Sequence, residues 1–501
     1  MLHNAFLGIL GAIELENILM TLFGVVTGVV IGCLPGLTSV MGVALLIPVT
    51  FGMDPTAGLA MLGGVYCAST YGGAMSAILL NIPGTPSACV TTIDGYPLAL
   101  KGESGRAISM ATLGSCVGGI FSTFVLLFVA PPLAKISLLF SAHEYFLLSL
   151  LGITIIASFS DQSVIKGLMA GTLGLFMSVV GMHPMTGYMR FTGGMAFLVD
   201  GIPLVVALIG FFSLPEVLNM VADTSQDRKG ILVYTGHPMK YFKELLSHWL
   251  LVIKSSVIGT IIGIIPGAGT DIAAFLAYNE AKRASKEKES FGKGAIEGVI
   301  ASETSNNAVV GGSLVPLLTL GIPGNAVSAI FLGALLIQGL RPGFELFQNT
   351  PEIVYGFICS MFVANILFVP VGFIIARYAY KLLKTPVSLL APTIIVFAVI
   401  GSYAIRNNME DLWLMLLMGF VGYLMQYFSV PVAPMVLGLV LGAMSEGELA
   451  RAYALSNDSV YILLKDFITR PICIILIVLS VFSVWQGIRR SLETQKKEIV
   501  S

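Results

Sequence analysis

The feature that most limits the architecture of this chain is a helix break that occurs four times, in two matched pairs. Gly28-Val-Val-Ile-Gly-Cys-Leu-Pro-Gly36 returns as Gly259-Thr-Ile-Ile-Gly-Ile-Ile-Pro-Gly267. Farther along, the Ile-Pro-Gly of "LLNIPGTPSA" (residues 79–88) returns in "LTLGIPGNAVSA" (residues 318–329). Each half therefore carries a Pro-Gly break followed by an Ile-Pro-Gly break. The second pair is spaced more widely, which fits a longer loop in the second copy, where Lys282, Arg283, Lys286, Lys288 and Lys293 cluster. Proline removes a backbone donor and glycine opens left-handed backbone angles, so each dipeptide interrupts a helix. An ordered internal repeat of this kind decides the architecture before any single element is read.

The breaks lie in a chain suited to lipid. Of its 501 residues 56% are hydrophobic and only 11% are charged, against about 25% charged in an ordinary soluble protein. Mean hydropathy is +0.90, and a soluble chain of this composition would expose apolar patches large enough to aggregate. Apolar runs recur, among them Ala107–Ala130, Gly194–Val221 and Pro471–Trp485, the first two each long enough to span a hydrocarbon core of about 30 Å. The chain reads as an all-α polytopic membrane protein with roughly ten to twelve crossing or re-entrant segments. A net charge of -1 gives no reason to expect nucleic acid. The cysteines (Cys33, Cys67, Cys89, Cys116, Cys359, Cys473) sit in apolar segments without metal-type spacing and read as buried thiols. No basic n-region or A-x-A site marks the N-terminus, so no cleaved signal peptide is expected.

Basic residues orient the two halves. None precedes Lys101. The second Pro-Gly segment is flanked by Arg228, Lys229, Lys240 and Lys243 on one side and by the basic cluster on the other. Short basic loops stay in the cytoplasm, so the two Pro-Gly segments have flanks on opposite sides, as inverted-topology repeats require. Ser247–Asn279, basic at both ends, reads as a hairpin that enters and returns with Pro266-Gly267 at its tip; a single kinked crossing is the alternative. The division that follows is residues 1–221 as the first membrane repeat and 222–248 as a basic cytoplasmic linker. Residues 249–488 are then the second membrane repeat, and 489–501 a charged C-terminal tail.

A broken helix in lipid leaves backbone groups to be satisfied by protein or by a watery cavity. Interrupted segments at corresponding positions of two halves point to a transporter's binding site. After one break Thr85 stands where an N-cap belongs and Pro86 at the first helical position; Asn325 aligns with Thr85, and Ser39 with Thr270. Each break thus starts a new half-helix, whose free N–H groups and partial charge of about +0.5 favour an anion. With few Lys or Arg in the apolar segments, the site reads as a carboxylate pocket. The substrate residues expected are Asn81, Pro83, Gly84, Thr85, Pro323, Gly324 and Asn325, with Ser39, Tyr71 and Gly72. For a coupling cation the candidates are Thr270, Asp271, Asn306, Ser302 and Thr304, whose oxygens suit a hard ion. Asp271 is an ionisable group at membrane depth; it binds Na⁺, carries a proton, or simply caps the half-helix. Glu303 is a further acid of this kind. "SETSNNAVVGG" (residues 302–312) has a second reading, as a cytoplasmic loop continuing the basic linker. Asp94, Lys101, Glu103 and Arg106 read as a structured cytoplasmic loop, and Gly294, Gly298, Ala301 and Ser305 as a packing stripe.

No enzyme class fits. There is no Walker A sequence, so ATP is not the direct energy source. His143-Glu144 lacks the second histidine of a zincin. "GAGTD" would need a second membrane aspartate, and nothing ties Asp200 to Asp271. Neither a catalytic residue, nor a cofactor, nor a structural metal is expected.

Five motifs, "YGGAMSAILLNIPGTPSA", "DGYPLALKG", "GIIPGAGTDIAAFLAY", "SETSNNAVVGGSLVPLLTLGIPG" and "GALLIQGLRPG", resemble the large membrane subunit of the tripartite tricarboxylate transporters, over roughly residues 15–470. The resemblance implies a permease in a bacterial inner membrane, working with a small four-helix membrane subunit and a periplasmic solute-binding protein. It implies uptake of citrate or other carboxylates driven by a Na⁺ or H⁺ gradient. The family's motifs fall on Tyr71–Pro86, Pro266–Asp271 and Ser302–Asn325. A stand-alone ion-coupled anion carrier is the first alternative and a gated anion channel the second.

Overall fold

A computed structural model describes residues 2–158, 164–183, 186–222, 234 and 238–500. Arg228, Lys229 and His237 lie outside the described residues. The chain begins with α1 (Leu2–Ala12), α2 (Leu15–Cys33), α3 (Ser39–Leu46), α4 (Pro55–Leu80) and α5 (Ala88–Leu100). It continues through α6 (Ser104–Ile136), α7 (Ala142–Ser158), α8 (Val164–Ser178) and α9 (Leu204–Ala222). An antiparallel hairpin of β1 (Gly181–Met182) and β2 (Met189–Arg190) separates α8 from α9. Then come α10 (Phe242–Ser247), α11 (Trp249–Ile264), α12 (Gly269–Ala284), α13 (Ile296–Leu320) and α14 (Ala326–Ile337). The last elements are α15 (Phe344–Asn349), α16 (Pro351–Leu382), α17 (Val387–Arg406), α18 (Glu410–Tyr427), α19 (Val432–Leu455), α20 (Val460–Thr469) and α21 (Pro471–Val500).

The protein is an all-α polytopic membrane protein. Seven described helices (α2, α6, α9, α16, α17, α19 and α21) are long and apolar enough to cross a membrane, and the shorter apolar helices α3, α7, α8, α11 and α14 accompany them. Helices α4 and α13 form the centre. They are buried without interruption from Ala57 to Leu79 and from Gly298 to Thr319. Both mix small, apolar and hydroxyl residues on all sides, so neither has a face to offer lipid or water, and a helix of that kind is stable only when enclosed. Ser302–Gly312 lie inside α13, so the cytoplasmic-loop reading of that stretch does not hold.

The packing recurs in matched sets. Helix α2 lies along α4 as α11 lies along α13; α6 crosses to α13 and α16 to α4. Helix α9 packs on α17 and α18, and α19 on α7 and α8. Glycine permits the closest of these approaches, the usual device of membrane helix interfaces. A Cβ at Gly32 would stand 2.2 Å from the Ser69 carbonyl oxygen, and one at Gly263 would stand 2.7 Å from that of Val309.

The expected hairpin is present in form: α11 and α12 pack side by side, joined by a turn at residues 265–268. Helices α2 and α3 are joined in the same way through residues 34–38. Three expectations need correction. The apolar run Gly194–Val221 is not one helix, because Gly201 adopts a left-handed φ of +81° and Pro203 follows, so α9 begins at Leu204. Asp94 belongs to α5, not to a loop, and is fully buried; only Lys101 and Glu103 fall in the connection to α6, which contains Arg106. Gly294, with φ +104°, lies before α13 begins and so outside the small-residue stripe.

Candidate functional site

The four breaks meet. A cavity of about 280 Å³ is lined by Thr38–Val40 before and at the start of α3, Thr85–Ser87 before α5, Gly269–Asp271 at the start of α12, and Asn325–Val327 at α14. Helix α3 packs beside α14, and α5 beside α12, so each hairpin arm adjoins the post-break helix of the other half. The Gly267 N–H donates to the Gly324 carbonyl at 2.7 Å, which joins two of the break points directly. Four helix N-termini therefore converge on one space, each with the partial positive charge of a helix start. Helices α3, α12 and α14 begin with N–H groups that lack an intrahelical acceptor, whereas at α5 the Ala88, Cys89 and Val90 N–H groups donate to the Thr85, Pro86 and Ser87 carbonyls.

Local chemistry explains each start. Thr38 caps α3, its hydroxyl accepting from Met41 N at 3.3 Å. Asn325 caps α14 through a full capping box: its Oδ1 accepts from Ser328 N and its own N–H donates to Ser328 Oγ, both at 2.9 Å. The Asn325 amide also donates to Tyr66 Oη at 2.7 Å, and Tyr66 reaches Ser313 at 3.0 Å. Thr85 is not the cap of α5. A turn closed by Ala88 N to Thr85 O at 3.0 Å intervenes, and the helix starts at Ala88. Gly84 and Gly324 are buried where backbone meets backbone, and a Cβ on either would stand 2.1 Å from Gly32 O or 2.5 Å from Gly263 O.

Of the residues expected from sequence, Ser39, Thr85, Thr270, Asp271 and Asn325 line this one cavity. Asn81, Pro83, Gly84, Pro323, Gly324, Tyr71 and Gly72 do not. Asn81 ends α4 in the left-handed conformation, φ 59°, as Gly321 ends α13 at φ 72°. Tyr71 is buried in the core, where it bonds Thr112 at 2.6 Å and stacks on Phe368. Gly72 admits α2, a Cβ there meeting Val29 O at 2.8 Å. Ser302, Thr304 and Asn306 are fully buried on α13, one layer behind the cavity. Asn306 reaches it indirectly, donating to the Thr70 carbonyl at 3.2 Å.

Sequence reasoning missed five wall residues from distant helices: Tyr66 and Thr70 on α4, Phe212 and Glu216 on α9 and Gln426 on α18. Glu216 rests against the first break, since a Cβ at Gly36 would lie 3.1 Å from its carboxylate. An acid inside an apolar run is the signal that would have found it. Gln426 accepts from Asn219 Nδ2 at 2.7 Å, and nothing in its local sequence distinguished it. The cavity thus combines helix N-termini that attract an anion with two carboxylates, Glu216 and Asp271, that attract a cation.

No solved structure matches this chain. Two relatives from Agrobacterium vitis do. The "Uncharacterized 52.8 kDa protein in TAR-I ttuC' 3'region" is 36% identical over 509 residues, covering 100% of this chain and 98% of the relative. The "Uncharacterized protein in TAR-II ttuC' 3'region" is 36% identical over 241 residues, 48% of this chain and 98% of the relative. The profile described as "Tripartite tricarboxylate transporter TctA family" matches residues 18–437, which contain all four breaks and the whole cavity wall, and the chain belongs to that family.

Proposed function

We propose that this chain is the permease subunit of a secondary active tripartite transporter that carries a di- or tricarboxylate through the cavity between the four helix starts. Its partners in this reading are a small four-helix membrane subunit and a periplasmic solute-binding protein, and its home is a bacterial inner membrane. The observation that carries the reading is the convergence of four helix N-termini on one cavity wall that has no basic side chain among the described residues. Backbone N–H groups bind carboxylates without the desolvation cost of burying a Lys or Arg. Glu216 and Asp271 in the same wall favour a cation travelling with the substrate, Na⁺ or H⁺, because an anion beside two carboxylates needs a counter-charge.

The two halves are inverted repeats in this reading, with alternating access arising from movement of the broken helices against the helices that complete the wall, α9 and α18. Reconstituting the chain in liposomes with its two partners tests the function. Saturable uptake of a labelled carboxylate that needs the binding protein and an inward cation gradient is expected. Equal uptake by this chain alone would make it a solitary carrier, and flux without saturation would make it a channel.

A further inference from the structure

Behind the cavity lies a buried carboxylate that the substrate site does not use. Glu303 on α13 is fully buried. One carboxylate oxygen accepts from the Thr91 hydroxyl on α5, and the other accepts from Ser115 Oγ on α6 at 3.2 Å. Ser302 Oγ lies 3.3 Å from Thr91 Oγ1, and the Asn306 side chain adjoins the carboxylate. All of these neighbours are neutral, and among the described residues no basic side chain pairs with Glu303. Asn306 Oδ1 is buried and has no hydrogen-bond partner. An isolated carboxylate is very costly in a low-dielectric interior, and a buried orphan oxygen adds about 1–3 kcal/mol. One dehydrated cation among these oxygens removes both costs, and carboxylate, hydroxyl and amide oxygens are the ligands that hard cations take.

We propose that Glu303, with Thr91, Ser115, Ser302 and Asn306, forms a binding site for a dehydrated Na⁺ ion set behind the substrate cavity. The proposal deepens the transport reading and rests on it, because it gives a coupling Na⁺ a site of its own, apart from the carboxylates of Glu216 and Asp271 in the wall. Three of the ligands come from α13 and one each from α5 and α6. Thr91 lies one turn inside the helix whose entry, Thr85–Ser87, lines the cavity. Asn306 holds the carbonyl of Thr70, another wall residue. Ion binding that draws in Thr91 and Asn306 therefore fixes two parts of the substrate wall, and substrate on that wall steadies the ion site in return, as linkage requires.

The test is the thermal stability of the purified full chain, without substrate, at rising NaCl and constant ionic strength held with choline chloride. The wild-type protein is expected to gain stability saturably with Na⁺ and not with choline or K⁺. Glu303→Gln, which keeps the side-chain volume, is expected to weaken apparent Na⁺ affinity by roughly tenfold or more. Thr91→Val and Asn306→Ala are expected to weaken it by smaller factors, and they carry the test should Glu303→Gln not fold. An absent Na⁺ effect in the wild type, or wild-type Na⁺ affinity in these variants, overturns the proposal. No carboxylate enters the measurement, so its failure leaves the substrate reading standing, and an error in the substrate class leaves the Na⁺ response intact.

Discussion

Asn325 joins three structural tasks at a single position. It closes the capping box of α14 with Ser328, fixes Tyr66 through its amide, and lines the cavity. The N–H groups of Ala326 and Val327, which have no intrahelical acceptor at a helix start, are thereby held in place at the cavity wall before any ligand arrives, and preorganised donors need no rearrangement on binding. Loss of a cap costs only about 1 kcal/mol of stability, a small fraction for a protein of this size. Asn325→Ala should therefore insert and purify like the wild type, while uptake falls roughly tenfold or more. Thr85→Ala should also lower uptake, since Thr85 shapes the matching turn, where its hydroxyl meets Ser87 at 3.3 Å. Labelled uptake set against immunoblots of the membrane fraction checks both, and wild-type uptake in both removes the site assignment. Gly84 and Gly324 behave differently. A methyl group there meets backbone, which cannot step aside, and overpacking costs roughly 1–3 kcal/mol or more. Gly84→Ala and Gly324→Ala should reduce the folded protein recovered by size-exclusion chromatography, not merely its activity.

Among the elements, the contact between α5 and the segment leading into α13 is a latch between the halves. Asp94 Oδ1 accepts from the N–H groups of Gly292, Gly294 and Ala295, each at 2.8 Å, and its Oδ2 accepts from Tyr278 at 2.9 Å. Lys101 adds a bond to the Lys293 carbonyl at 2.6 Å. Asp94→Leu would strand three N–H groups, at about 1–3 kcal/mol each. Trypsin should then cut the Lys286–Lys293 segment faster than in the wild type, with Asp94→Asn intermediate; equal cleavage rates would show that the latch bears no load. This latch also marks the boundary of what sequence made legible. The breaks were readable because Pro and Gly inside apolar runs have a local meaning, and Ser39, Thr270, Asp271 and Asn325 were found because they follow those breaks directly. Asp94 looked like a loop acid because its partners lie in the other half of the chain. Glu216 and Gln426 enter the wall only through the packing of α9 and α18, which no local pattern encodes. Asn81 was misplaced because a polar residue next to a break serves equally well as a ligand or as a left-handed helix end.

At the scale of the whole molecule the matched contacts, α2 on α4 with α11 on α13 and α6 on α13 with α16 on α4, describe two interlocked halves. If the halves have the opposite orientations proposed above, exchanging their conformations exchanges inside for outside at a cavity that both build. Arg106 pairs with Glu244 on α10 and Lys101 reaches Lys293, which gathers these basic segments at one end of the molecule. The corresponding loop of the first half, residues 51–54 between α3 and α4, carries no basic residue. It exposes Phe51, whereas the loop between α12 and α13 exposes Lys286. In a background without native cysteines, Phe51→Cys should react with a membrane-impermeant thiol reagent added outside intact spheroplasts. Lys286→Cys should react only after the membrane is opened. Labelling of both from the same side would mean parallel halves, and alternating access would then need a motion other than an exchange between mirror-related states.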